Sequence, residues 1–199
     1  VKKGAAELVL SGNNTFSGGL SIEDGRVKII DGSQLGSTKK ILLKNYALNA
    51  GASVSSSAPL DTSWFDANYV GGTIESSISG TAMLTNDSLS NSTWNLRLRG
   101  NNTNTGGFKL ISRNDSNNVF ITFDSTQAWN NNKLYVQHNN GYRSPQYYFG
   151  PPGSEAGNWT LGDIDFGTNT GVTNSSAVLA YSNLGSSNQT MIYSGTWTG

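Results

Sequence analysis

The chain has no cysteine, a single histidine, four prolines and few charges: 13% of its 199 residues are Asp, Glu, Lys or Arg, and the formal net charge is zero. Without cysteine there is neither a disulfide framework nor a thiolate metal site. The lone histidine, His138, is the only side chain available as base for a Ser-His-Asp arrangement. No Gly-x-Ser-x-Gly elbow accompanies it to expose a nucleophile. His138 therefore reads as a polar residue at a strand end, and no Cys or second His stands with it to point to zinc. Scattered Lys and Arg with no net sign point to neither nucleic acid nor an anionic membrane surface as partner. No apolar run approaches the ~20 residues of a spanning helix, and no set of alternating barrel strands with aromatic girdles occurs. Nor does any stretch read as a signal peptide, so the machinery of any export is expected outside these residues. No cofactor is called for.

What is present is Gly, Asn, Ser and Thr in quantity, and a repeat. The segment Glu7 to Ile29, ELVLSGNNTFSGGLSIEDGRVKI, returns in worn form as NLRLRGNNTNTGGFKL, Asn95 to Leu110. Leu8, Leu10, Gly12, Asn13, Asn14, Thr15, Gly18 and Gly19 meet identical residues at a constant offset of 88. The register then slips by five residues and resumes, with Asp31, Gln34 and Lys40 answering to Asp124, Gln127 and Lys133. Leu8, Leu10, Leu20 and Ile22 alternate with polar residues at period two, as half-buried strands do. Gly-Asn-Asn-Thr, Gly-Gly and Asp24-Gly25 supply corners between them. A unit of short strands with one apolar face each cannot bury a core alone. Stacking neighbours solves this, and the predicted architecture is all-β: a single-stranded right-handed parallel β-helix with near-zero helix, of roughly eight to ten rungs.

At these residues the sequence resembles the autotransporter-associated β-strand repeat, also called the passenger-associated transport repeat. LVLSGNNTFSGGLSIEDGRVKI followed by the tail GSQLGSTKKILLKNYALNAGAS carries the likeness; the second copy keeps the Gly-Asn-Asn-Thr and Gly-Gly landmarks but has Asn104 where the first has Phe16. The resemblance implies a non-catalytic segment of a secreted or surface-displayed bacterial protein, with neighbouring rungs of the parent chain as partners and adhesion to glycans or a host surface as a further role. The whole span 1–199 is expected to be one β-helical domain cut from a longer array. Repeat one covers about 7–53, repeat two about 94–139, and a degenerate repeat about 158–199, where Trp159-Thr-Leu resembles Trp94-Asn-Leu. Uncapped ends near Leu8 to Leu10 and Ile192 to Trp197 are expected to associate head to tail.

Between the copies, Ala52 to Asp61 reads as a Ser/Ala-rich loop and a return to the stack, with the aromatic group Trp64, Phe65 and Tyr69 capping a corner. Asn140 to Gly157, rich in Pro, Gly and aromatics, reads as an excursion from the stack. Its Tyr142, Tyr147, Tyr148 and Phe149, together with Trp159, are candidate members of a platform on which sugar rings stack, or else a small core anchoring a loop. Asp163 and Asp165, two apart in a strand-like Asp-Ile-Asp, are the one pair suited to polysaccharide cleavage or calcium. The competing reading buries Ile164 and Phe166 and leaves both acids in solvent. A polysaccharide lyase or hydrolase and a carbohydrate-binding tail-spike-like module are accordingly the alternatives to a structural passenger. Asp31 and Asp124 sit where an Asx-type turn would start, and Glu23-Asp24, Asp61 and Asp66 read as turn residues.

Overall fold

A computed structural model describes residues 1–44, 51–87, 94–112, 119–129, 132–138, 146–149, 158–161, 163–165, 178–181, 190–193 and 197–198. Each circuit of the chain adds one strand to a long parallel sheet of eight: Leu8–Val9, Arg26–Ile29, Ser53–Ser56, Gly72–Ile74, Trp94–Leu98, Val119–Phe123, Gln146–Phe149 and Val178–Tyr181, stacked in sequence order. A second face carries Leu20–Ile22, Ile41–Leu43 and Phe65–Val70, then Leu84–Asp87, Phe108–Ser112, Leu134–His138, Ile164–Asp165 and Trp197–Thr198. The two runs of this face adjoin, Phe65–Val70 lying against Leu84–Asp87. Short corner ladders join Leu60–Asp61 to Ile78–Ser79 and Asn158–Leu161 to Thr190–Tyr193. The chain is a β-solenoid, as its repeat and patterning predict. Among the described residues helix is confined to one α turn, Thr126–Trp129, and two 3-10 turns, Gly32–Leu35 and Thr62–Trp64.

Period-two alternation becomes packing through the register. Leu8 pairs with Val27, Val27 with Val54, Val54 with Ile74, Ile74 with Leu98 and Leu98 with Phe123, so apolar side chains stack in a column along the interior. From Val27 onward every member of that column is buried. Each such residue removes apolar surface from water, worth about 1.5–3 kcal/mol, and does so only because circuits above and below cover it. The interior changes character along the stack. Ile22, Val27, Ile29, Leu35, Ile41 and Leu43 make the first circuits aliphatic, whereas Phe108, Phe123, Trp129 and Tyr147 fill the later ones. Phe123 stands at the centre, its ring 5.0 Å from Phe108 and 5.1 Å from Trp129 edge to face, and 6.4 Å from Tyr147 in a stack.

The two copies of the repeat fold alike. Leu20 N–H donates to Lys40 O at 2.7 Å, and Phe108 N–H donates to Lys133 O at 2.9 Å, the same bond once the five-residue slip is allowed for. Gly19 and Gly107, which open these strands, both have positive φ, 75° and 81°. A Cβ on Gly107 would also come within 2.7 Å of Lys133 O, so glycine is required twice over. The second Asn of each corner turns inward. Asn14 Nδ2 donates to Gln34 O at 2.8 Å. Asn102 does more: its Nδ2 donates to Ala128 O at 2.6 Å, its N–H donates to Gln127 O at 3.0 Å, and its Oδ1 accepts from Ile78 N–H at 3.0 Å. One amide thus ties three successive circuits together.

Three expectations need correction. Ala52 to Asp61 is not a loop throughout, because Ser53–Ser56 forms a strand of the long sheet. Ala52 and Val54 are its buried contribution, and two small apolar residues among serines are too weak a pattern to read as a strand. Asn140 to Gly157 is likewise not one excursion, since Gln146–Phe149 takes its place in the long sheet between Val119–Phe123 and Val178–Tyr181. Pro145 and Pro151 stand outside that strand in the sequence. Trp94 belongs to the long sheet and Trp159 to a corner ladder, so their likeness is one of composition and not of position. Ala47 to Asn49, which the sequence also suits to a short strand, lies outside the described residues.

Replacing Asn102 by Ala leaves the Ile78 N–H and Ala128 carbonyl without partners in a buried corner, at ~1–3 kcal/mol each. Denaturant unfolding should show Asn102→Ala less stable than the parent by about 3 kcal/mol. Asn14→Ala, which frees the single Gln34 carbonyl, should cost about 1 kcal/mol. Equal losses would show that the inward amide is not what links the circuits.

Candidate functional site

The groups that sequence reading marks for chemistry are dispersed by the fold. Tyr147 is fully buried in the aromatic interior, with its hydroxyl between Tyr135 O at 2.7 Å and Phe108 O at 3.1 Å. Its ring is therefore core and is not available to stack on a sugar. Gln146–Phe149 and Asn158–Leu161, which contain Tyr148, Phe149 and Trp159, lie in different ladders; the side chains of these three, and Tyr142 altogether, lie outside the described residues. The Asp163 side chain is exposed and that of Asp165 half-buried, while Ile164 between them is in the core, as the solvent-facing reading of this pair expects. Main-chain pairing fixes this, Leu134 N–H donating to Asp163 O at 3.0 Å. His138 ends the strand Leu134–His138 and pairs in register with Ser112.

Several other carboxylates serve corners and strands. Asp31 opens the 3-10 turn Gly32–Leu35: its Oδ1 accepts from Ser33 N–H at 2.7 Å, while Gln34 Oε1 accepts from Asp31 N–H at 2.8 Å and Ile30 N–H at 3.1 Å. The Ser33 hydroxyl and N–H hold the Asp31 carboxyl below its ordinary value. Asp61 likewise opens its own 3-10 turn, accepting from Ser63 N–H at 2.8 Å and Ser63 Oγ at 2.7 Å, whereas Asp66 lies within the strand Phe65–Val70 and is not a turn residue. Asp24 accepts from Gly25 N–H at 2.7 Å. Asp124, the repeat partner of Asp31, departs from this role. It faces Arg97 Nε at 2.6 Å and Arg99 Nε at 2.8 Å, and the Ser125 hydroxyl accepts from Ala128 N–H instead.

Asp124 thereby joins a strip of charge that sequence reading, which saw only scattered Lys and Arg, does not anticipate. Arg26 lies 3.7 Å from Glu7 and 3.6 Å from Glu75; Arg99 lies 3.0 Å from Glu75 and 2.8 Å from Asp124. Period two places these side chains on the outer face of the long sheet, because Val27, Leu96 and Leu98 between them point inward. Arg26 can reach Glu75 because the strand between them, Ser53–Ser56, carries only serines outward. At the first circuits the strip borders an open cleft of about 320 Å³ lined by Ala5, Glu7, Asp24, Gly25, Arg26, Gly51 and Ser53. Positive and negative groups alternate along it, so it offers mutual neutralisation and no single-signed field. A lone surface pair is worth ~0–1 kcal/mol; here each central residue is shared by two partners. Sequence could have shown this strip only if the register of six circuits were already known.

Stacked parallel circuits, a solid apolar interior and corner-bound carboxylates define a β-solenoid scaffold. The family model described as passenger-associated-transport-repeat matches residues 1–29, and the chain carries that repeat where its first circuit is built. No curated protein and no solved structure matches the chain.

Burial raises the Tyr147 hydroxyl well above its ordinary value, against weaker opposition from its bonds to backbone carbonyls. Its folded form holds the proton where the unfolded chain releases it, so this contribution is intact below about pH 10 and is lost as pH climbs beyond that. Tyr147→Phe should cost about 1 kcal/mol at neutral pH through the lost hydrogen bond. It should also flatten the alkaline fall in the denaturant midpoint relative to the parent; parallel alkaline profiles would contradict the placement of this hydroxyl.

Proposed function

We propose that the chain is a non-catalytic, load-carrying segment of a bacterial autotransporter passenger, displayed at the cell surface or secreted, and that it contributes length and spacing to an adhesive protein. The observation that supports this best is the coincidence of the passenger-associated repeat at 1–29 with the first circuit of the stack. The upper face of that circuit is unfinished in a specific way. Leu8 and Val9 are 37% and 59% exposed on a strand paired on one side only. Asn14 Oδ1 accepts no bond from a described residue, although the equivalent atom of Asn102 takes Ile78 N–H from the circuit before it. Both features suit stacking against another circuit of the same repeat. Partners are then adjoining circuits along the axis and, at the surface, glycans or host matrix.

The test is display. The chain, placed between an export signal and an outer-membrane barrel in a Gram-negative host, should reach the surface, shown by a tag at its amino end becoming accessible to protease in intact cells. Accumulation in the periplasm beside a correctly assembled barrel would contradict the passenger reading.

A further inference from the structure

The Gly-Asn-Asn-Thr corner occurs twice, and two of its four residues explain themselves. Gly12 has φ 73°, and a side chain on Gly100 would collide with the Ser76 backbone. Asn14 and Asn102 make the inward bonds already described. The other two do not. Asn13 and Thr15, and likewise Asn101 and Thr103, are exposed, and none forms a side-chain hydrogen bond with a described residue. Neither Asn13 nor Asn101 has the positive φ that often explains asparagine in a corner. Yet the Asn13 and Thr15 pair returns as Asn101 and Thr103 in the worn copy, where the neighbouring Phe16 has become the buried Asn104. Backbone geometry and packing leave Asn-x-Thr at this spacing unexplained.

That spacing is the acceptor triplet for N-linked sugar, and the fold presents it well. With the middle residue turned into the corner, the asparagine amide and the threonine hydroxyl two positions on both face outward. We propose that Asn13 and Asn101 are glycan acceptors on the folded chain, taking a hexose from a nucleotide-activated donor. In the transfer, the side-chain Nδ2 forms a bond to the anomeric carbon of the hexose. The bond from that carbon to the phosphate oxygen breaks, the nucleoside diphosphate leaves, and one amide proton passes to the transferase; nothing is oxidised or reduced. Sugars so placed line one corner of the solenoid and hydrate a surface poor in charge.

The structure supplies its own control. Asn86-Asp87-Ser88 has the same spacing, but Asn86 is 0% exposed and its Nδ2 donates to Phe120 O at 2.8 Å. Further triplets begin at Asn91, Asn114, Asn158, Asn174 and Asn188, whose side chains lie outside the described residues. The folded chain is incubated with UDP-glucose and a soluble bacterial N-glycosyltransferase specific for Asn-x-Ser/Thr, and the products are read by site-resolved mass spectrometry. A urea-unfolded, reaction-diluted sample and a short peptide carrying Asn-Asn-Thr serve as references. Hexose should appear at Asn13 and Asn101 in the folded chain; Asn86 should be modified only in the unfolded sample. Thr15→Ala should remove the sugar from Asn13 alone, and Asn101→Gln from the second site alone. The proposal is overturned if the folded chain stays unmodified at both positions while the peptide reacts, or if Asn86 is modified in the folded chain as readily as they are.

Discussion

Parallel backbone pairing between successive circuits is the constraint on which everything else in this molecule depends. A circuit has strands too short and too one-sided to bury its own apolar residues. Only when Val27 is held over Val54, and Val54 over Ile74, does the interior close. The pairing also decides which residues face outward together, and so assembles the Arg26, Glu75, Arg99 and Asp124 strip from positions up to 98 residues apart. Neither the core nor the charged strip exists in a single repeat.

Corners carry the second requirement. A solenoid without helices must satisfy the main-chain groups of every bend, and the described corners do so with side chains: Asn102 across three circuits, Asp31 with Gln34 around a 3-10 turn, Asp61 beside Ser63. These polar residues are structural in the same sense as the buried leucines. The chain is rich in Asn, Ser and Gly partly for this reason, and its scarcity of charge follows, since a carboxylate or guanidinium cannot sit where an amide both donates and accepts. Where the amide is not inward, at Asn13 and Asn101, the identity calls for another reason.

Much of the fold was legible because the repeat is written in landmark residues. Gly12, Asn14 and Gly19 mark bends, and their return as Gly100, Asn102 and Gly107 marks the next equivalent bends, so parallel stacking followed without coordinates. Legibility failed where a strand had little apolar content, as at Ser53–Ser56, and where prolines flanked a strand closely enough to disguise it, as at Gln146–Phe149. It failed at the candidate site for a different reason. Crowding of aromatics in sequence says nothing about which way each ring points. In a strand alternate residues go to opposite faces, and Tyr147 went to the core. The charged strip was invisible because its members are neighbours only through register.

Register is therefore the claim to test most directly, and the absence of cysteine makes the test clean. Lys28 and Ser55 are paired across adjacent strands of the long sheet, whereas Ser53 is paired with Arg26. A disulfide needs Cα atoms within about 7 Å. Under mild oxidation the double variant Lys28→Cys with Ser55→Cys should close rapidly and nearly completely, and Lys28→Cys with Ser53→Cys should remain largely reduced. The reverse order, or equal closure of both pairs, would contradict a stack of parallel circuits in this register.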